Sequence, residues 1–384
     1  VNDKSRVQDQ PGQGPRVLFV SKPIAPPWHD GSKNLVRDVA SHLTQARATV
    51  MTLPGTAPLS ARVTMDPVYT SSGSFAPGLT ANARVLRRLC FGDPLDIWHF
   101  VFAPNPASSS AARLARQTRR LGGFRGPVVQ TIASAPREFA GISRWIFGDR
   151  VIVLSEWMRG RLIASGIDAT RLTVIPPCAA APDAPSAERR AAARALIDAD
   201  GPVLLYPGDY EVSRGAQTVA DAATALLAGI PDATLVFACR PKSPRAHDAR
   251  RVLEASLLRA GVAERVRHVG EVNDMAALVA ESALVLFPVD DLYGKVDVPL
   301  VLLEALALGI PMVLASEGPL EAVSTARFAE PGDAGALAET ALDLYRSSEQ
   351  ISAQRDAGRA LHAERFAPSV VAAEYDALYA SLTR

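Results

Sequence analysis

Short uninterrupted apolar runs alternate along the chain with longer stretches in which apolar positions recur every three or four residues. The first pattern predicts buried strands and the second amphipathic helices. In the first half, RVLFVS (16–21), ATVMTL (48–53), DIWHFV (96–101), PVVQTI (127–132), RVIVLS (150–155) and LTVIPP (172–177) read as strands. KNLVRDVASHLTQ, ANARVLRRLC, SSSAARLARQTRR, REFAGISRWIF and EWMRGRLIASG read as the helices among them. Residues 54–80 are rich in Pro, Gly, Ser and Thr, alternate weakly and are left unassigned. In the loop KPIAPPWHDGS, three prolines stiffen the chain, Gly31 allows close backbone approach and Ser32 is the expected helix cap.

The pattern breaks after Pro177, where CAAAPDAPSAERR reads as a linker, and a second series then begins. Its strands are PVLLYPG, TLVFA, RVRHVG, ALVLFP and PMVLAS. Its helices start at Gly215, around Arg250, at a cap on Asn273 and at Pro299, with Gly309 ending the last of these. From Asp333 the chain is helical, and SVVAAEYDALYASLTR closes it. Strand–helix alternation of this kind predicts parallel sheets covered on both faces. The expected organisation is a disordered tail (1–15), a first Rossmann-like α/β domain (16–177), a linker (178–200), a second such domain (201–365) and a closing helix (366–384). The default ligand site is the cleft that the two domains face.

Composition narrows the function classes. The 384 residues are 48% hydrophobic, enough for two cores, and the net charge of +1 argues against a nucleic-acid binder. Cys90, Cys178 and Cys239 lie far apart, and the six histidines do not cluster, so neither disulfides nor a metal site is expected. The polar first fifteen residues do not read as a signal peptide. The longest apolar stretch, Val298 to Ala315, is interrupted by Glu304 and by Gly309-Ile310-Pro311, which reads as helix and strand rather than a membrane span. A cytoplasmic location is the expectation.

Candidate chemistry gathers at strand ends. The loop Gly208 to Gly215 precedes a helix whose dipole end suits a phosphate; Arg214 adds a fork, and Ser213 is a candidate cap. Such loops are more often plain turns. Glu304 is the lone acid of an apolar helix. It reads either as a solvent-facing or structurally bonded carboxylate, or as an acceptor for two vicinal hydroxyls such as those of a ribose. Lys295 and Asp297 share a loop with Asp290 and Asp291, where charges are usually just solvated. His99 lies among apolar residues, where a satisfied core histidine is the commoner outcome. The arginine-rich stretches 84–88 and 113–120 read first as solvated helix faces, with an anionic-acceptor or membrane-surface patch as the minority reading.

Taken together, several of these stretches resemble the retaining GT-B glycosyltransferases of glycosyltransferase family 4, the glycogen synthase and mannosyltransferase type. The resemblance spans about residues 16 to 380 and is strongest over 203–322. It is carried by YPGDYEVSRGAQTVADA, VGEVNDMAALVAESALVLFP and LLEALALGIPMVLASEGPLEAV, and in the first half by PPWHDGSKNLVRDVASHL, DIWHF and RVIVLSEWMRGRL. It implies a GT-B fold, with a nucleotide-diphosphate sugar of UDP or GDP type bound to the second domain and a hydroxyl acceptor to the first. The closing helix would pack back on the first domain, and transfer would need neither metal nor other cofactor.

Residue by residue, the resemblance implies that Glu304 holds the ribose, Arg214 takes the place of a phosphate-binding lysine, and Gly270 and Glu271 meet the base. It implies donor contacts at Gly31, Gly208, Gly215, Val298, Pro299 and Leu300. Arg214 and Lys295 would stabilise the leaving diphosphate, Asp297 the sugar hydroxyls, and His99 would orient sugar and acceptor. Four departures are visible. Val296 stands where the first of two paired acids belongs, Asp209 replaces an arginine, TIAS lacks a strand-end histidine, and IPPCAA replaces an asparagine–glycine turn. The rival readings are a nucleotide-sugar epimerase or a sugar phosphorylase on the same fold, and a non-catalytic family member that binds a nucleotide or a partner.

Overall fold

The computed structural model describes residues 14–71, 78–241 and 243–383. The tail expected over 1–15 lies outside them except for its last two residues. The strands are β1 (Arg16–Val20), β2 (Arg47–Met51), β3 (Val63–Asp66), β4 (Ile97–Val101), β5 (Val128–Ile132), β6 (Arg150–Val153), β7 (Leu172–Val174), β8 (Val203–Tyr206), β9 (Thr234–Ala238), β10 (Val266–Val269), β11 (Ser282–Phe287), β12 (Met312–Ala315) and β13 (Arg327–Ala329). The α-helices are α1 (Gly31–His42), α2 (Leu79–Phe91), α3 (Pro106–Leu121), α4 (Glu156–Ala164), α5 (Ala187–Ile197), α6 (Gly215–Gly229), α7 (Pro244–Arg259), α8 (Met275–Ala280), α9 (Leu300–Leu308), α10 (Ala334–Arg346), α11 (Ser348–Leu361) and α12 (Pro368–Leu382).

Two sheets result. One has the order β3-β2-β1-β4-β5-β6-β7 and the other β10-β9-β8-β11-β12-β13. Pairing is parallel, as in Phe19↔His99 across β1 and β4 and Val285↔Leu205 across β11 and β8. The expected pair of doubly wound parallel sheets is therefore present. Central strands such as β4, β8 and β9 are buried at every position, which is why they read as unbroken apolar runs. In each order the chain reverses direction beside its first strand, between β1 and β4 and between β8 and β11. Such switch points are where loops at the carboxyl ends of strands diverge to admit a ligand.

By density of contacts the chain divides into two compact units. One comprises the described part of Val1–Thr131 with Arg144–Val151 and Ala372–Arg384; the other comprises Ile132–Ser143 and Ile152–Val371. In the first unit, Asp376 of α12 accepts hydrogen bonds from the backbone N–H groups of Thr44 (2.7 Å), Gln45 (3.0 Å) and Ala46 (2.8 Å). A carboxylate that is 2% exposed is stable there because these three N–H groups and the Thr44 hydroxyl, at 3.1 Å, replace its water.

Local details differ from the sequence expectations. The Pro/Gly-rich stretch conceals the edge strand β3. Part of the expected linker forms α5, whose cap is Ser186 and whose Arg190 and Arg194 grip Glu281. REFAGISRWIF contains only a short 3-10 turn, Ile142–Trp145. Asp30, not Ser32, caps α1, accepting from Ser32 N at 2.9 Å and Lys33 N at 3.3 Å. Asp274, not Asn273, caps α8, accepting from Ala277 N. Among neighbouring polar residues the winner is the one whose side chain reaches the second or third N–H of the turn, which sequence order alone does not decide.

Candidate functional site

Two loops meet at the switch point of the six-stranded sheet. The loop after β8 carries Asp209 and Arg214; the loop after β11 carries Asp290, Asp291, Lys295 and Asp297. Their charges pair crosswise. Arg214 donates through Nε to Asp290 at 2.8 Å, and its backbone N–H donates to the same carboxylate at 3.1 Å. Lys295 donates through Nζ to Asp209. Burial alone would raise the Asp209 carboxyl, but the Lys295 charge and the N–H groups of Val212 and Glu211 hold it below the ordinary carboxylate range. Arg214 is 69% exposed on its side chain, whereas Lys295 is 28% exposed. Arg214 is thus the cation offered to solvent, and Lys295 the one held in the loop.

Helix α6 begins at this edge. Ser213 was expected to cap it, but no side chain makes a cap bond from the Arg214 cap position. The Ser213 hydroxyl accepts from Gly215 N at 3.2 Å instead, and Asp290 is the anion at the helix end. Gly208 and Gly215 answer to packing. A Cβ on Gly208 would lie 2.3 Å from the Tyr206 hydroxyl, and one on Gly215 would lie 2.8 Å from it. The buried Tyr206 phenol donates to Asp209 O at 3.1 Å and so shapes the loop from beneath.

Helix α9 starts after Pro299 and ends at Gly309, which holds φ +71°, a conformation suited to glycine. Glu304 lies half-buried on it. Leu300 opens it, and Val298, just before Pro299, is fully buried. Gly270 and Glu271 follow β10; nothing lies within 4 Å of a Cβ built on Gly270, and Glu271 pairs with Arg240 at 3.3 Å. Gly31 is the first residue of α1, beside the Asp30 cap.

Two expected site residues lie out of reach of solvent. Asp297 is 1% exposed and accepts from the Ser155 hydroxyl, which also accepts from Met158 N at 3.1 Å as the cap of α4. Burial pushes the Asp297 carboxyl up to about 6, and the Ser155 hydrogen bond offsets only part of that. Val296, at the position of the first paired acid, is also buried. His99, expected to orient sugar and acceptor, is 0% exposed. Its Nδ1 is 2.6 Å from the Tyr379 hydroxyl and its Nε2 2.7 Å from Thr131 Oγ1. Burial pushes its pKa down to about 3, so it is neutral with both nitrogens engaged. It sits in a core position closed by α12.

The partners are not announced by any local pattern: Asp290 for Arg214, Asp209 for Lys295 and Ser155 for Asp297. The signal for the second was present, since an acid at Asp209 and a lysine in the facing loop are complementary departures. Among the described residues no three His, Cys, Asp or Glu side chains are grouped to hold a metal ion. No helix of the described residues is long and apolar enough to cross a membrane.

Two family models match separate stretches of the chain. Residues 29–179 match the family model "Glycosyltransferase Family 4", and residues 201–347 match "Glycosyl transferases group 1". No curated protein sequence matches. Among solved structures, a glycosyltransferase from Rickettsia africae superposes with TM-score 0.73 at 14% identity, covering 97% of this chain and 99% of that one. HepE of Anabaena in complex with UDP gives TM-score 0.72 at 18% identity, covering 96% and 100%, and its UDP-glucose complex gives 0.71. Sucrose-phosphate synthase from Thermosynechococcus elongatus gives 0.71 at 19% identity, covering 96% and 99%. At these identities the likeness establishes the fold, which is GT-B.

Proposed function

The chain is a glycosyltransferase of the family 4 type with a GT-B fold, and from that premise we propose that it moves a sugar from a nucleotide-diphosphate donor to a hydroxyl acceptor with retention of configuration and without metal. The observation that carries the reading is the meeting of Arg214, Lys295 and the N-terminus of α6 at the β8–β11 switch point. Two cations on neighbouring loops and a helix end at that strand edge would suit a diphosphate.

In this reading the acceptor hydroxyl attacks the anomeric carbon on the face the diphosphate leaves. The bond from that carbon to the leaving oxygen breaks, the new glycosidic bond forms, and the acceptor proton passes to the diphosphate. The protein mainly stabilises negative charge developing on the leaving group. Arg214 does so directly after exchanging Asp290 for phosphate oxygens. Lys295, steadied by Asp209, supplies the cation that the replaced arginine would have given. Glu304 accepts the two ribose hydroxyls, and the backbone at Gly270 and Glu271 meets the base. Sugar hydroxyls fall to backbone N–H groups near Val298 and Leu300. Asp297, being buried, holds the loop through Ser155 and does not touch sugar. His99 is assigned to the core for the same reason. The UDP and UDP-glucose complexes of HepE make UDP the first base to try.

A second reading, nucleotide binding without transfer, is favoured by one specific observation: both cations are already neutralised by acids. The two readings separate in one experiment. UDP-glucose and GDP-mannose are incubated with the chain, with and without EDTA, and early products are followed by proton NMR with water as the default acceptor. The proposal expects slow release of the nucleotide with the anomeric configuration of the donor kept, unchanged by EDTA. Inverted product sinks retention, loss of turnover in EDTA sinks metal independence, and binding of a donor without turnover favours the second reading.

A further inference from the structure

Helices α2 and α3 contain no acidic residue. Residues 79–125 hold eight arginines against two acids, a net of +6 in a chain whose total is +1. Some of these arginines have structural partners. Arg88 pairs with Asp66 and Arg116 with Asp149, while Arg119 donates through Nε to Leu89 O at 2.8 Å. That last bond sets the C-terminal ends of α2 and α3 side by side.

Two residues beyond Leu89 stands Phe91, 79% exposed, and two beyond Arg119 stands Leu121, 91% exposed. Leu114, seven residues before Leu121 and so on the same face of α3, is 53% exposed. Arg87, Arg120 and Arg125 are exposed around them. Among the described residues none of the three enters an ion pair. The two acids of the segment, Asp93 and Asp96, are both held by Arg16. A single exposed leucine or phenylalanine is ordinary. Arg125 also donates through Nη1 to the carbonyls of Arg120 (2.8 Å) and Phe124 (3.2 Å). Bulky apolar tips together with exposed arginines that have no acidic partner, on adjoining helix ends, are a combination that marks an interaction surface.

We propose that this end of the α2–α3 pair docks on an anionic lipid surface. Phe91 and Leu121 enter the boundary between headgroups and acyl chains, and Arg87, Arg120 and Arg125 lie against the lipid phosphates. Charge complementarity selects an anionic occupant, because guanidinium forks match phosphate oxygens. The aliphatic tips select lipid, because a nucleic acid or an acidic peptide offers no apolar interior for them to enter. None of these residues has a role in the donor site, so either proposal can fail while the other stands.

The test is flotation of the full chain with vesicles of phosphatidylcholine alone, and with vesicles in which roughly one-third is phosphatidylglycerol. Binding to the anionic vesicles is expected to be at least about tenfold stronger than to neutral ones and to weaken with added salt. The double variants Arg87→Glu with Arg120→Glu, and Phe91→Ser with Leu121→Ser, should each lose most of it. All four positions are exposed, so folding should be intact, and circular dichroism checks this. No binding of the unaltered chain to anionic vesicles overturns the proposal, as does binding indifferent to salt and to lipid charge. Binding undiminished in either folded double variant does the same. Retention on an acidic oligonucleotide with no vesicle binding would assign the basic face to a polyanion and overturn the lipid reading.

Discussion

Replacing Arg214 by alanine should cost about 2–4 kcal/mol of transition-state stabilisation, a fall of roughly thirty- to a thousandfold in kcat/KM for turnover of the donor. The side chain is mostly exposed, so the loss is not expected to come from unfolding. The variant also keeps Asp290 at the start of α6, where it still accepts the backbone N–H of position 214. A diphosphate would then meet a carboxylate whose compensating cation is gone. Arg214→Lys should recover part of the rate, since a point charge remains but the bidentate fork does not. Donor hydrolysis followed by nucleotide release is the readout. Unchanged kcat/KM in the alanine variant would remove Arg214 from the phosphate site.

Asp297→Asn should make the protein more stable at neutral pH, on the order of 2–3 kcal/mol for a carboxyl raised by about two pKa units. In the unfolded chain this group has its ordinary value of 3.8, and in the folded chain burial raises it to about 6. Between those values the native state keeps the proton and the unfolded state has lost it. The group therefore makes stability fall as pH rises through that window, after which its effect is constant. Asparagine has no such titration and can still accept from Ser155. Urea unfolding of both proteins at several pH values gives the difference directly. It should be small below about pH 4, grow to about pH 6 and then stay level. Curves that run parallel across the whole range would mean that the carboxylate is better solvated than its burial indicates.

The elements that sequence made legible are those whose signals are local. Unbroken runs such as Val203–Tyr206 announce buried strands, and α9 is bracketed by Pro299, which opens it, and Gly309, whose left-handed conformation ends it. The edge strand Val63–Asp66 was hidden because an edge needs less apolar surface and its surroundings are turn residues. Helix α5 was hidden in an alanine–proline stretch read as linker, although Ser186 followed by Ala187 and Glu188 is a helix start.

For the site, residue types and loops were legible, but pairings were not. Arg214 meets Asp290 across 76 residues, and Lys295 meets Asp209 across 86. His99 is sealed by Tyr379, 280 residues away. No local pattern encodes such contacts; they follow from β8 and β11 lying side by side, and from α12 returning to the first unit. The same physics explains Gly208 and Gly215. They read as phosphate-loop glycines, yet a Cβ on Gly208 would meet the Tyr206 ring and one on Gly215 would meet the Tyr206 hydroxyl and a Val289 methyl.

The donor site is tested by calorimetric titration of UDP, and then GDP, ADP and TDP, into the chain with EDTA present. One nucleoside diphosphate is expected to bind with a Kd on the order of micromolar, and Glu304→Ala to abolish that binding while leaving the fold intact. If no nucleotide binds to well-folded protein, or if Glu304→Ala binds as tightly as the unaltered chain, the β8–β11 edge with α9 is not a donor site.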